Sequence, residues 1–277
     1  LHSATQYGHT EVVKFILAKV IDKNPENQDG DTPLHEAAKK GFLEICKLIC
    51  KHLNDTDPRN NSEETPMLNA VAFGELETVK FLFKNGTDSY SRPNEDTLLH
   101  AAARYGHTEV VRFILSKVID KNPENENGDT PLHEAAEKGE LETVKCLFNF
   151  GGDLSSRNDE GDTPLHAATR YGHTEVVKFI LANMIDKNPE NEDGDTPLHE
   201  AAKNGSLEIC KLIYLHINRG LDKVGAEIAL LSRSLVKAMH PENNSGETPM
   251  FNAVKKGKLE TVKFLFNIGG DLKLMYL

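Results

Sequence analysis

The 277-residue sequence has no tryptophan, few other aromatic residues and only four cysteines. Four cysteines spread over this length do not form the disulfide framework of a small secreted protein. We therefore expect an intracellular protein, with the cytoplasm as its compartment. No run of about 18 apolar residues occurs, so no direct insertion into a membrane is expected.

An excess of positive charge is absent as well. Lysine and arginine number 32 against 43 aspartate and glutamate residues, which gives a net charge of −11. An acidic chain repels the phosphate backbone, so nucleic acid is not an expected partner. The sequence also starts without Met and without a basic or apolar targeting segment, and we expect a fragment or a processed product.

Motifs that carry known chemistry are missing too. The sequence contains neither a GxxxxGK phosphate-binding loop followed by Ser or Thr nor a GxSxG nucleophile motif. Its acidic residues recur with the loops and do not converge on one site. We therefore expect no enzymatic activity, no catalytic residue and no cofactor.

Internal repetition is what the sequence has in abundance. The string TPLHEAA and its close variants begin at seven threonines, which are Thr32, Thr65, Thr97, Thr130, Thr163, Thr196 and Thr248. Neighbouring threonines lie 33, 32, 33, 33, 33 and 52 residues apart, and Leu1 begins a truncated eighth copy. A nearly fixed period of this length indicates a repeat architecture.

Each copy predicts two helices. The threonine is a good N-cap, and proline follows at the first helical position, where its missing N–H costs nothing. A glycine such as Gly41 or Gly139 then ends the first helix in a left-handed conformation. A second segment with apolar residues at helical spacing, such as LEICKLI, precedes a polar loop that leads to the next threonine.

This pattern resembles the ankyrin repeat, whose period and T-P-L-H-x-A motif it shares. The resemblance implies an all-α solenoid of stacked helix-turn-helix units with hairpin-like loops. We expect one array over residues 1–277, with units at roughly 1–29, 30–62, 63–94, 95–127, 128–160, 161–193, 194–245 and 246–277. An insertion at 219–239 lies in the seventh unit. It is either a docking helix with Ile228, Leu231, Leu235 and Met239 on one face or a tolerated insertion.

A longer duplication overlies the short period. YGHTEVVKFIL and its Arg variant begin at Tyr7, Tyr105 and Tyr171, and IDKNPEN follows each copy, at spacings of 98 and 66 residues. The middle copy has therefore lost one unit. Neither end of the array looks capped, because residues such as Val12 and Phe15 are apolar, so a larger array or neighbouring domains are expected.

Histidine and cysteine suggest metal chemistry only at first sight. Six of the twelve histidines belong to the TPLH motif, where the resemblance implies bonds to the threonine and to loop backbone. Cys46, Cys50 and His52 could be half of a zinc site, but Cys46 takes the repeat position of Val144, which predicts a core residue. We expect no metal site. The resemblance also aligns Asn24, Asn122 and Asn188 with a loop asparagine that hydroxylases modify in some ankyrin proteins, although a turn-forming asparagine before proline is the favoured explanation.

Partner contacts are expected at two places in each repeat, according to the resemblance. These are the acidic loop tip before Thr-Pro and the basic or aromatic residues before the helix-ending glycine, unless they form an ordinary solvated surface. The predicted partner-binding residues are Tyr7, Lys39, Lys40, Phe73, Arg104, Tyr105, Asp129, Lys138, Asp162, Arg170, Tyr171, Asp195, Lys203, Lys255 and Lys256.

The function predicted from this pattern is a protein–protein interaction scaffold. Its partner is another protein of unknown identity, on which a basic segment would complement the acidic loop tips. The alternative is the cytosolic or targeting segment of a larger channel, kinase, ubiquitin-ligase receptor or toxin.

Overall fold

The computed structural model describes residues 1–53, 56–85, 96–217 and 240–269. The predicted insertion at 219–239, with its candidate docking helix, lies outside these residues. Contacts between Cα atoms divide the chain into two compact units, Leu1–Glu126 with Asn149–Gly151, and Asn127–Phe148 with Gly152–Leu277. Whether the chain is one array with the predicted repeat bounds stays a prediction.

Sixteen helices occur among the described residues, and they come in pairs. The first unit contains α1 (His2–Gln6), α2 (Thr10–Leu17), α3 (Pro33–Lys39), α4 (Leu43–Cys50), α5 (Pro66–Ala72), α6 (Leu76–Lys84), α7 (Leu98–Arg104) and α8 (Thr108–Leu115). The second contains α9 (Pro131–Lys138), α10 (Leu141–Asn149), α11 (Pro164–Arg170), α12 (Thr174–Asn183), α13 (Pro197–Asn204), α14 (Leu207–Ile217), α15 (Pro249–Lys255) and α16 (Leu259–Asn267). The last residue of α10, Asn149, is grouped with the first unit.

In five of the described pairs, those that begin with α3, α7, α9, α11 and α13, the motif threonine caps the first helix together with the motif histidine. At Thr32 the backbone N–H donates to His35 Nδ1 at 3.0 Å, and the hydroxyl oxygen lies 2.9 Å from the same nitrogen. Since Nδ1 accepts, Nε2 carries the proton and donates to the carbonyl of Glu64 in the next loop, at 3.0 Å. The histidine thus joins one helix to the following repeat, as the resemblance implies.

Small and branched apolar side chains fill the space between the helices. Within the first unit α1, α3, α5 and α7 pack side by side, and α9, α11, α13 and α15 do so within the second. Ala37 and Ala38 are fully buried, and their small side chains let neighbouring first helices approach closely. Ile45 and Leu132 are among the largest side chains that solvent does not reach.

The loops are tied to one another by asparagine. Asn158 Oδ1 accepts from the N–H groups of Glu160 and Asp162, at 3.1 and 2.9 Å, which closes a tight turn. Asn158 Nδ2 donates to Asp129 in the preceding loop, at 2.8 Å. We call this arrangement the asparagine ladder, and its rungs are Asn60–Asp31, Asn125–Asp96, Asn158–Asp129, Asn191–Asp162 and Asn243–Asp195.

These observations confirm the predicted all-α class, with helix-turn-helix units stacked through their first helices and linked by hairpin-like loops. Of the helices that the structure describes, none has the length and apolar character that crossing a bilayer requires.

Candidate functional site

Large aromatic side chains project into solvent where four first helices end. Tyr7, Phe73, Tyr105 and Tyr171 follow the last residues of α1, α5, α7 and α11, and their exposed fractions are 70%, 52%, 47% and 56%. Tyr105 and Tyr171 stack on the histidine two positions later, with ring centroids 6.4 and 6.5 Å apart. The rings are therefore held in place while one face stays open.

We call the predicted basic and aromatic partner-binding residues before the helix-ending glycines the floor, and most of its basic residues are paired with acidic residues. Arg104 Nη2 lies 2.8 Å from Asp96 Oδ2, and Lys255 Nζ lies 2.9 Å from Glu247 Oε1. Lys138 contacts Glu137 at 2.7 Å. The basic floor is therefore largely neutralised by its own protein.

Arg170 and Lys203 form a charge network with three carboxylates. Arg170 contacts Asp162 at 2.5 Å and Glu200 at 3.5 Å. Lys203 contacts Asp195, and Glu200 at 3.3 Å. Burial lowers the pKa of Arg170, but Asp162 and Glu200 outweigh it, so the pKa lies above its ordinary value. Arg170 therefore stays charged at neutral pH.

Lysines occupy the remaining floor positions. Lys39 Nζ lies 5.1 Å from the centroid of the Phe73 ring, a distance typical of a cation–π contact. Lys40 and Lys256 end α3 and α15 as C-caps, and both are exposed.

Two of the predicted loop-tip acids do not lie on an exposed ridge. Asp162 and Asp195 are buried, with 1% and 6% of their surface exposed, and Asp129 is half-buried. All three are acceptors in the asparagine ladder, so their carboxylates are engaged by the protein's own loops. Burial raises the pKa of Asp195, but hydrogen bonds from Lys203 and Asn243 outweigh it and hold the pKa below its ordinary value.

The exposed acids lie beside a cavity of about 390 Å³ within the second unit. Six carboxylate side chains and one guanidinium line it, with Tyr171 among the lining residues. The carboxylates are those of Asp129, Glu134, Glu137, Asp159, Glu160 and Asp162, and the guanidinium is that of Arg170. Asp159 and Glu160, at the loop tip, are exposed. The arrangement suits a cationic side chain that stacks on the tyrosine.

The surroundings of the cysteines and of the candidate modification sites indicate structural roles for these residues. Burial raises the pKa of the Cys46 thiol above its ordinary range and that of Cys50 to about 11, so neither thiol ionises readily at neutral pH. Within the described parts of the chain no group of three or more His, Cys, Asp or Glu residues could hold a metal ion. The Asn24 N–H donates to Asp22 Oδ1 at 3.0 Å, an arrangement repeated at Asn122 and Asn188, which favours the turn interpretation.

Sequence reasoning missed two surface features. Ile21, Ile119 and Ile185 are each 99% exposed, at the start of the three IDKNPEN copies. The asparagine ladder was missed as well, although a signal existed, since each asparagine lies five residues before a motif threonine.

Comparison with known proteins gives a consistent result. A family model described as ankyrin repeats (3 copies) matches residues 1–93, 87–158 and 133–227. Among solved structures, 594 chains match, and the ankyrin repeat domain of human ASB11 is 25% identical over 78% of this chain and 96% of that chain, with a TM-score of 0.71. No curated protein sequence matches.

Proposed function

The chain belongs to the ankyrin-repeat family, and we propose that it is a protein–protein interaction scaffold which binds its partner at the ends of the first helices and at the loop tips. Ankyrin repeats are in general protein-interaction modules. The observation that carries the proposal is the exposure of Tyr7, Phe73, Tyr105 and Tyr171. Exposed, restrained tyrosines offer contact area at a small cost in side-chain entropy, and Tyr is enriched at interface hot spots.

The acidic cavity beside Tyr171 supports a basic segment as the partner's contact. A lysine or arginine side chain would find carboxylates on several sides and the tyrosine ring on another. Exposed Asp159 and Glu160 would attract that segment before contact, because their carboxylates are not acceptors in the asparagine ladder. Four of the predicted partner-binding residues would affect binding indirectly, because their ion pairs fix the surface that the partner meets. These are the pairs Arg170–Asp162 and Lys203–Asp195.

A random peptide library displayed on phage and selected against the chain tests this proposal. We expect the enriched peptides to be rich in Lys and Arg. Tyr171→Ala should raise their dissociation rate by roughly 30-fold, as loss of a hot-spot side chain does. Leu215→Ala is the matched control, because Leu215 is 56% exposed on the second helix α14 and should leave the rate unchanged.

In the same assay, charge reversal distinguishes effects on the association rate from effects on the dissociation rate. Asp159→Lys combined with Glu160→Lys should mainly slow association and flatten its dependence on salt, because exposed charges are screened over about 8 Å at physiological ionic strength. Acidic or uncharged peptides, or peptides that bind the Tyr171→Ala variant and the starting protein equally well, would contradict the proposed site.

A further inference from the structure

An apolar cleft in the first unit lies at the opposite end of helix α7 from Tyr105. Its volume is about 410 Å³, which is within the range of small-molecule sites. Leu98 and Leu99, at the start of α7, are part of its lining, and both are 1% exposed. Phe83 of α6 and Ile114 of α8 line it as well. The cleft is therefore built from three helices of one compact unit.

Two departures from the repeat pattern accompany this cleft. Helix α7 begins with Leu98, whereas α3, α5, α9, α11, α13 and α15 all begin with proline. Val118 takes the place that Met184 has in the third copy of the YGHTEVV segment. Met184 is 6% exposed, while the shorter Val118 is half-buried and lines the cleft. Valine thus leaves open a space that the longer methionine side chain would fill.

Two charged side chains are among the described residues that line the cleft. Asp120 Oδ1 accepts the Asn122 N–H at 2.9 Å, so this carboxylate is held in its own turn. Lys117 is exposed, and its Nζ lies 5.7 Å from the centroid of the Phe113 ring. Phe113 meets Phe83, a lining residue, edge to face at 5.6 Å. The ammonium group of Lys117 therefore lies at the rim of the cleft, beside its apolar wall.

A second lysine fixes the loop that forms one wall. Lys121 Nζ donates to the carbonyl oxygens of Leu115 and Val118, at the end of α8 and just beyond it. The last carbonyl groups of a helix have no partner within the helix, and a lysine can satisfy them. Val118 and Ile119 are therefore held where they line the cleft before any ligand binds.

We propose that this cleft binds a small molecule that has an apolar body and one carboxylate group. The apolar body would lie against Leu98, Leu99 and Val118, and the carboxylate would pair with Lys117. Burial of the apolar body would supply most of the affinity, and the ammonium group would select a negative charge. A cationic group would meet Lys117 as a like charge, since the carboxylate of Asp120 is held in its own turn.

Methyl NMR spectroscopy of the chain titrated with decanoate tests this proposal. With Ile, Leu and Val methyl groups labelled, the signals of Leu98, Leu99 and Val118 should shift in a saturable manner, while those of the fully exposed Ile185 stay unchanged. Decanol and decylammonium have the same chain length with a different charge. We expect decanol to bind roughly fivefold more weakly than decanoate, as the loss of one exposed ion pair predicts, and decylammonium more weakly still.

The third copy of the segment supplies the variants. Lys117→Asn with Val118→Met introduces the residues that the third copy has at these positions, so the fold should be kept, which circular dichroism and the urea midpoint check. The affinity for decanoate should fall at least roughly tenfold, because methionine would fill the cleft and the ammonium group is lost. Lys117→Asn alone should remove the preference for decanoate over decanol. Lys19→Asn with Val20→Met is the matched control, since it makes the same changes in the first copy and should leave the titration of the Leu98 signal unchanged.

Four outcomes would overturn the proposal. The first is the absence of saturable shifts at Leu98, Leu99 and Val118. The second is equal binding of decanoate, decanol and decylammonium, because the cleft would then not select a carboxylate. The third is a shift at Ile185 as large as that at Leu98, which indicates adsorption to any exposed apolar group. The fourth is an unchanged affinity in the double variant, which places the site elsewhere.

Discussion

In the described loops before Thr163 and Thr196, one asparagine makes three side-chain hydrogen bonds. Asn191 Oδ1 accepts from the N–H groups of Asp193 and Asp195, at 3.1 and 2.9 Å. Its Nδ2 donates to Asp162 Oδ1 in the preceding loop, at 2.8 Å. One side chain thus closes its own turn and attaches that turn to its neighbour.

Replacing this asparagine should therefore cost more than an ordinary surface substitution. We expect Asn191→Ala to lower the free energy of unfolding by about 2–3 kcal/mol, because three hydrogen bonds are lost and buried Asp162 loses a donor. Urea denaturation followed by circular dichroism measures the change. Asn183→Ala is the control, since Asn183 makes one exposed bond to the Phe179 carbonyl and should cost at most about 0.5 kcal/mol.

Equal losses in the two variants would show that the ladder contributes nothing beyond one exposed hydrogen bond.

The sequence could not have placed Asp162 or Asp195 inside this ladder from charge alone. Acidic residues in polar loops are usually solvated, and their burial depends on the asparagine that the next repeat supplies. The exposure of Tyr105 and Tyr171, in contrast, follows from their position just before a glycine that ends the helix.

At the level of the helix, the cap determines where each first helix begins. The Thr130 N–H donates to His133 Nδ1 at 3.1 Å, and its hydroxyl oxygen lies 2.9 Å from that nitrogen. Helix α9 follows at once with Pro131, whose fixed φ suits the first helical position.

Removal of this cap should weaken α9 by a modest, measurable amount. Thr130→Ala should lower the free energy of unfolding by about 1 kcal/mol, whereas Thr130→Ser, which keeps the hydroxyl, should lose much less. The midpoint and slope of urea unfolding distinguish the two variants. If alanine and serine behave alike, the hydroxyl has no capping role and the methyl group accounts for any loss.

Helix positions were the most predictable part of the fold. Thr, Pro and Gly act through the backbone of their own turn, so their spacing alone indicates where α9, α11 and α13 begin and end. The acidic cavity was not predictable in this way. It combines Glu134 and Glu137 of one helix with Asp159 and Glu160 of the following loop, which only packing brings together.

Across the molecule, neutral motif histidines make stability depend on pH. Burial lowers the pKa of His35, His166 and His199 below the ordinary value of 6.5. The unfolded chain therefore takes up protons at a higher pH than the folded chain does. The stability that these residues contribute is complete above about pH 6.5 and is lost as the pH falls further.

We expect the urea midpoint to fall between about pH 7.5 and about pH 5.5. His166→Leu should reduce this dependence, and leucine is a residue that the chain itself uses at the same repeat position, in Leu68. Measurement of both proteins at the two pH values separates this histidine from the rest. A midpoint that does not change with pH, or that changes equally in both proteins, would contradict the assignment.

The asparagine ladder also has a consequence for how the number of repeats can change during evolution. Asn243 contacts Asp195 at 2.7 Å across 48 residues of sequence, close to the 2.8 Å that Asn191 keeps from Asp162 across 29. A rung thus requires only an asparagine in one loop and an aspartate in the loop before it, whatever length of chain lies between them. Gain, loss or interruption of a unit therefore produces a new neighbour that already fits, and a gene encoding such units can change its copy number without first evolving a new contact.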